Sequence, residues 1–182
     1  MKKLISNIKL KISDANGFTL VELLVFMGIF SILIVVLTQI FLSALNVQLE
    51  TQATSSVQQD GRYILARLAY DINRAKNITE PATPGTSSHQ LQLTIGGSNY
   101  KYAAIGNLLR LTVDTDTPVQ LNSFQTTISN ISDLNFKRVG AGSTNGTTKD
   151  SIQINFTLTS SSKSQSGAEV KTFQTAAGLR GN

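Results

Sequence analysis

Residues 23–37 form a run of fifteen in which only Gly28 and Ser31 are not apolar, and no charge occurs anywhere from 23 to 49. A helix needs about 20 mostly apolar residues to cross the hydrocarbon core of a bilayer. Residues 23–45 supply that length. A chain of 182 residues with such a run reads as an anchor joined to one small domain. With the run set aside, the remainder is rich in Thr, Ser, Asn and Gln. It can close a core over roughly 100 residues only with well-packed sheets.

The flanks orient the run. Lys2, Lys3, Lys9 and Lys11 precede it with only Asp14 against them, so residues 1–17 carry +3 of the chain's +5. The next basic residue after the run is Arg62. The excess of cations on the near side puts the N-terminus in the cytoplasm and the remainder outside. A secretory signal has a shorter apolar region with small residues on its far side. Here the small residue, Gly17, stands on the near side. On span length alone the reading is an uncleaved signal anchor.

Glu22 sits against the front of the run. A carboxylate at mid-bilayer costs about 2.5–3.5 kcal/mol, and less near the interface. A helix N-terminus favours negative charge. Two readings stay open on these grounds. Glu22 is either an acid tolerated at the interface or one kept for a cation that another chain supplies.

The segment "GFTLVELLV", residues 17–25, resembles the prepilin signature of type IV pilins and type II secretion pseudopilins. That signature is a short basic leader, Gly, an aromatic, Thr, Leu, an aliphatic, Glu, and a long apolar run. The resemblance implies that a membrane-embedded prepilin peptidase cuts between Gly17 and Phe18 and methylates the new amine of Phe18. It implies that Glu22 then pairs with the positive amine of a neighbouring subunit. The implied partners are other pilin or pseudopilin subunits, the peptidase, the membrane and an assembly platform. The physics agrees, because cleavage creates a cation at Phe18 and Glu22 lies about one helical turn on. An unpaired charge in low dielectric is penalised, so the pair would select subunits more than stabilise them.

Helical character continues past the run. Ala53, Val57, Ile64, Leu68, Ile72 and Ala75 recur at steps of 3, 4 or 7, one face of an amphipathic helix that is expected to pack on a sheet. Arg67 and Asp71 are spaced to pair. Gly61 reads as a soft spot costing about 1 kcal/mol relative to Ala. The helix is expected to run from about 18 to 76 and to stop before "EPATPG". Within residues 59–75, Leu68, Asp71, Ile72 and Ala75 resemble a pattern of W-type minor pilins and J-type pseudopilins. The ending "TFQTAAGLRGN" resembles the closing strand of the same group.

After Gly85 the period changes to two. "HQLQLTI", "YKYAAI" and "LLRLTV", parted by "GGSN" and "GN", predict a three-strand antiparallel meander. "VQLNS" adds a short piece. Further strands are expected over 131–139, 151–159 and 169–182. "GAGSTNGTT" and "SSSKSQSG" read as loops. The expected fold is α+β and pilin-like, a long N-terminal helix packed on an antiparallel β-sheet. The expected parts are a leader over 1–17, an apolar assembly helix over 18–49, an amphipathic half over 50–80 and a β domain over 81–182.

Chemistry is sparse. The chain has no cysteine and one histidine, His89, which argues against thiolate chemistry, a zinc cluster or a histidine triad. His89 stands beside Ser87 and Ser88 without the acid and nucleophile turn of a hydrolase. The glycine-bearing loops lack the lysine and spacing of a phosphate loop. Asp114 and Asp116 fall short of the six to eight oxygens that calcium takes, and read as a solvated turn. No catalytic residue, metal or cofactor is expected. The residues that matter are Gly17 and Phe18 for cleavage, Phe18 for methylation, and Phe18 with Glu22 for assembly. The expected function is a structural subunit, in the minor class, of a type IV pilus, type II secretion or competence pseudopilus. One rival is an uncleaved single-pass protein displaying a small β binding domain. Another is a competence pilin that binds DNA through Lys137, Arg138, Lys149 and Lys163.

Overall fold

A computed structural model describes residues 17–128, 130–140, 150–165 and 167–180. Residues 1–16 of the expected leader, almost all of the "GAGSTNGTT" loop, Lys149, Ser166 and the last two residues of the expected closing strand lie outside the described residues.

Helix α1 is Leu20–Arg74, 55 residues in one continuous element. Its start is capped: Thr19 Oγ1 accepts the Glu22 backbone N–H at 3.2 Å. The Thr19 carbonyl accepts the Leu23 N–H at 3.1 Å. A threonine three residues ahead of a glutamate is the sequence form of such a cap. The chain divides into two compact units, residues 1–44 and 45–182. In the first unit every described residue is exposed.

The second unit begins with the rest of α1. The stripe of Ala53, Val57, Ile64, Leu68, Ile72 and Ala75 is buried, each residue at most 2% exposed. Ten strands follow: β1 (Asn77–Glu80), β2 (Ser87–Ser88), β3 (Gln90–Ile95), β4 (Ser98–Ile105), β5 (Leu108–Val113), β6 (Val119–Gln120), β7 (Thr126–Ile128), β8 (Leu134–Val139), β9 (Ser151–Ser164) and β10 (Gly167–Gly178). A single 3-10 turn, Ile131–Asp133, precedes β8.

The strands form two antiparallel sheets where one was expected. The first has the order β1-β3-β4-β5-β6 and holds the predicted meander. Gly96 and Gly97 make its tight β3–β4 turn with φ of +60° and +93°, the left-handed region that such hairpins need. The second has the order β10-β9-β8-β2, with β7 also pairing β9. β8 and β7 share one edge of β9 end to end, as in Val139↔Ser151 and Thr126↔Ser160.

Three expectations need correction. The helix ends at Arg74, and Asn77–Glu80, expected within the amphipathic half over 50–80, is a strand paired with β3. Such a short piece shows no period of its own. "SSSKSQSG" is mostly strand: β9 runs on to Ser164, and Lys163 pairs with Ala168. Pairing along β10 outweighs the weak strand propensity of serine. Gly61 is not a soft spot. A Cβ there would lie 2.1 Å from Cζ of Phe173, so the glycine lets the ring lie against the helix.

The β9–β10 hairpin meets α1 at three points. Asn46 Nδ2 donates to Gln165 Oε1 at 3.2 Å. Phe173 covers Gly61 and stacks on Phe156 at 5.4 Å between centroids. The Arg180 N–H donates to the Asn73 carbonyl at 3.3 Å. Ile152, Ile154, Phe156 and Leu158 of β9 join Leu91, Leu93 and the helix stripe in one core. Burial of each such side chain stabilises by about 1.5–3 kcal/mol.

One buried ionic contact sits inside that core. Asp71 and Tyr102 are both fully buried, and the Tyr102 hydroxyl donates to Asp71 Oδ2. Arg67 Nε donates to the same oxygen at 2.8 Å. The spacing that predicted the Arg67–Asp71 pair is correct, but the sequence did not reveal its third member on β4. Burial, then the hydrogen bond and charge of Asp71, push the Tyr102 hydroxyl well above the ordinary tyrosine range.

Candidate functional site: the start of the helix

The site is the junction at which extended chain becomes helix. Gly17, Phe18 and Thr19 precede the first helical residue, Leu20. Phe18 is 78% exposed. A Cβ at Gly17 would meet nothing within 4 Å, so nothing among the described residues requires glycine there.

Glu22 falls in the first helical turn, where the dipole favours its charge. Its backbone N–H is spent on the Thr19 cap. Among the described residues nothing donates to its exposed carboxylate. The structure therefore brings Gly17, Phe18 and Glu22 together over a single turn and leaves the acid available to a partner. Thr19, whose cap fixes where the helix begins, did not figure among the expected site residues. The signal for it was present in the Thr-Leu-Val-Glu spacing.

Past the site the helix is built to face an apolar medium. Ser31 Oγ donates to the Met27 carbonyl at 2.7 Å, and Thr38 Oγ1 to that of Ile34 at 2.8 Å. These hydroxyls are satisfied within the helix, which removes the penalty of an unpaired donor in lipid. Phe26 and Phe30 stack at 6.0 Å on one face. The helix is long and apolar enough to cross a membrane.

Elsewhere the polar groups are taken up by the fold. His89 Nδ1 lies 2.8 Å from the Leu134 carbonyl, and the neighbouring Ser88 hydroxyl donates to Glu80 Oε1 at 2.7 Å. Asp114 Oδ1 accepts the Asn99 N–H at 2.7 Å. That bond, and then the Ser98 hydroxyl, hold the Asp114 carboxyl below the usual range. Among the described residues no three His, Asp or Glu side chains gather as metal ligands.

Of the suggested basic patch, Lys149 lies outside the described residues, and the other three do not gather. Arg138 is half-buried and donates through Nε to Asp150 at 2.9 Å and through Nη1 to the Ala82 carbonyl at 2.7 Å. Lys137 pairs with Gln153, ten residues along β9 from Lys163, which separates the two by about 33 Å of strand.

The model of the prokaryotic N-terminal methylation motif matches residues 12–38, a segment that contains the whole junction. No significant match to a curated protein or to a solved structure accompanies it. The motif supports the type IV pilin and pseudopilin family. It suggests a structural protein, one that assembles with other pilin subunits and meets a prepilin peptidase. With the apolar helix it also supports anchoring in a membrane.

Proposed function

We propose that the chain is a minor pilin or pseudopilin, cut between Gly17 and Phe18, methylated on Phe18 and assembled through residues 18–49. In this reading residues 1–17 are the leader, the helix continues from 50 to Arg74 into the outer domain, and β1 and the strands that follow it are the displayed β domain. The N-terminus begins in the cytoplasm, and the mature chain leaves the membrane as part of a filament. The W-type and J-type likeness of residues 59–75 and of the C-terminus favours a minor position.

The observation that carries this reading is the methylation motif lying across a capped helix start. It leaves the Gly17–Phe18 bond outside the helix and an unpartnered Glu22 carboxylate one turn inside. Cleavage would place a new cation at Phe18. In a low-dielectric layer that cation and Glu22 of an adjacent subunit each lose a penalty by meeting.

The test is the mass of the N-terminal peptide of chain extracted from its native membranes. A mature start at Phe18, one methyl group heavier than the plain residue, is expected. A chain that keeps Met1 through Gly17 refutes processing and leaves an uncleaved anchor. Two variants separate the steps. Gly17→Leu should abolish the cut. Glu22→Ala should be cut normally yet nearly vanish from sheared filaments; normal incorporation would remove the assembly role of Glu22.

A further inference from the structure

Phe124 is 87% exposed, more than any other large apolar side chain among the described residues. A lone exposed apolar residue is ordinary on a protein surface. What sets this one apart is the stiffness of the loop that carries it. Asp60, on α1 and only 9% exposed, accepts through one carboxylate oxygen from the Ser123 N–H at 2.8 Å, the Ser123 hydroxyl at 2.7 Å and the Thr126 hydroxyl. Asn122, 2% exposed, accepts the Leu109 N–H at 2.9 Å and donates to the Thr126 carbonyl at 2.6 Å. From the far side Ser161 donates its N–H to the Gln125 carbonyl at 2.7 Å and its hydroxyl to that of Phe124 at 3.2 Å. The backbone on both sides of Phe124 is tied down, and its ring is held out in solvent.

We infer that Phe124 is a preformed anchor that enters an apolar pocket on an adjacent filament subunit, an inference that rests on the function proposed above. A rigid aromatic on a fixed loop loses little entropy on binding, which is the character of an interface hot spot. The chemistry around it selects the partner. From Val119 to Ile128 there is no charge, and the nearby carboxylate of Asp60 is only 9% exposed and accepts three hydrogen bonds through Oδ2. That surface offers nothing to a phosphate backbone. It is unsuited to lipid as well: Asp60 lies eleven residues beyond Leu49, the end of the charge-free run, about 16 Å along the helix. The partner is therefore a protein with an apolar pocket and an uncharged rim.

The experiment uses the full chain in its native cells. Phe124→Ser is compared with wild type for cleavage, for unfolding temperature and for the amount in sheared filaments. Unchanged cleavage and unfolding with roughly tenfold or greater loss from filaments is expected. Equal incorporation, or a marked fall in unfolding temperature, overturns the anchor role. A photoreactive benzophenone side chain at position 124 should cross-link to another processed filament subunit. Cross-linking to lipid, to nothing, or no better than from the exposed Val119 position overturns it too. If wild type is neither cleaved nor assembled, the proposed function fails and the anchor falls with it. If wild type assembles and Phe124→Ser does so equally, the anchor alone fails.

Discussion

The two halves of α1 share one backbone and differ in what their side chains are for. From Leu20 to Ala44 every residue is exposed, and the apolar surface runs round the whole helix. From Leu45 to Arg74 a single stripe is buried and the opposite face is polar. Their glycines make the contrast local. A Cβ on Gly28 would meet nothing within 4 Å, whereas one on Gly61 would run into Phe173. The front half is exposed throughout; the rear half packs its stripe within its own unit. What separates them is packing, which supplies most of a helix's stability in a folded protein.

The largest effect should come from removing the ring that defines the rear half. Phe173→Ala deletes the contact with Gly61 and the stack on Phe156, and is expected to cost about 3–5 kcal/mol. Gly61→Ala is the sharper test because intrinsic propensity would stabilise the helix by about 1 kcal/mol. The clash should reverse that sign, for a net loss of about 1–2 kcal/mol. Gly28→Ala should leave the unfolding of the β unit unchanged. Thermal unfolding of the full chain in micelles, followed by its β signal, reads all three. Equal effects of the two glycine substitutions would erase the distinction between the halves.

Next in size is the buried contact that ties the rear half to β4. Tyr102→Phe leaves the Asp71 carboxylate without its hydroxyl donor, at a cost of about 1–3 kcal/mol. The pH dependence carries the signature. The folded-state pKa of Tyr102 is raised above its unfolded value near 10, so its contribution is fully present below about pH 10 and fades as pH climbs beyond it. Wild type should therefore lose stability more steeply above about pH 10 than Tyr102→Phe does. Parallel alkaline limbs would mean that the hydroxyl is not held as described.

These contacts show what a sequence reveals. The helix stripe was legible because period is a local property: all six stripe residues are buried. So was the meander, where Leu91, Leu93 and Leu109 alternate inward between turn glycines. The junction residues Gly17, Phe18 and Glu22 were legible as a motif, and the methylation-motif match spans all three. What stayed hidden is long-range. Phe173 meets Gly61, Ser123 meets Asp60, and Tyr102 meets Asp71 across separations that no local spacing encodes. Strands of two to four residues, such as β1, β2 and β7, exist only through their neighbours, so their own residues carry no period.

The smallest effect belongs to a residue at the rim of the rear unit, where solvent screens most of any charge interaction. Asp114 sits at φ +50°, a left-handed conformation that Asn and Asp tolerate better than other side-chain-bearing residues, and its carboxylate accepts the Asn99 N–H. Asp114→Asn keeps the backbone preference and a carbonyl acceptor and removes only the charge. Because the folded-state pKa is lowered, the charge contributes stability above the unfolded value near 3.9, and that contribution is lost as pH falls through the folded value. Wild type should therefore unfold slightly above Asp114→Asn at pH 7, and that lead should narrow as pH falls through the acid range. The difference should shrink in high salt, as for any exposed charge. A deficit as large as that of Tyr102→Phe would mean that this turn is part of the core's support and not a solvated bend.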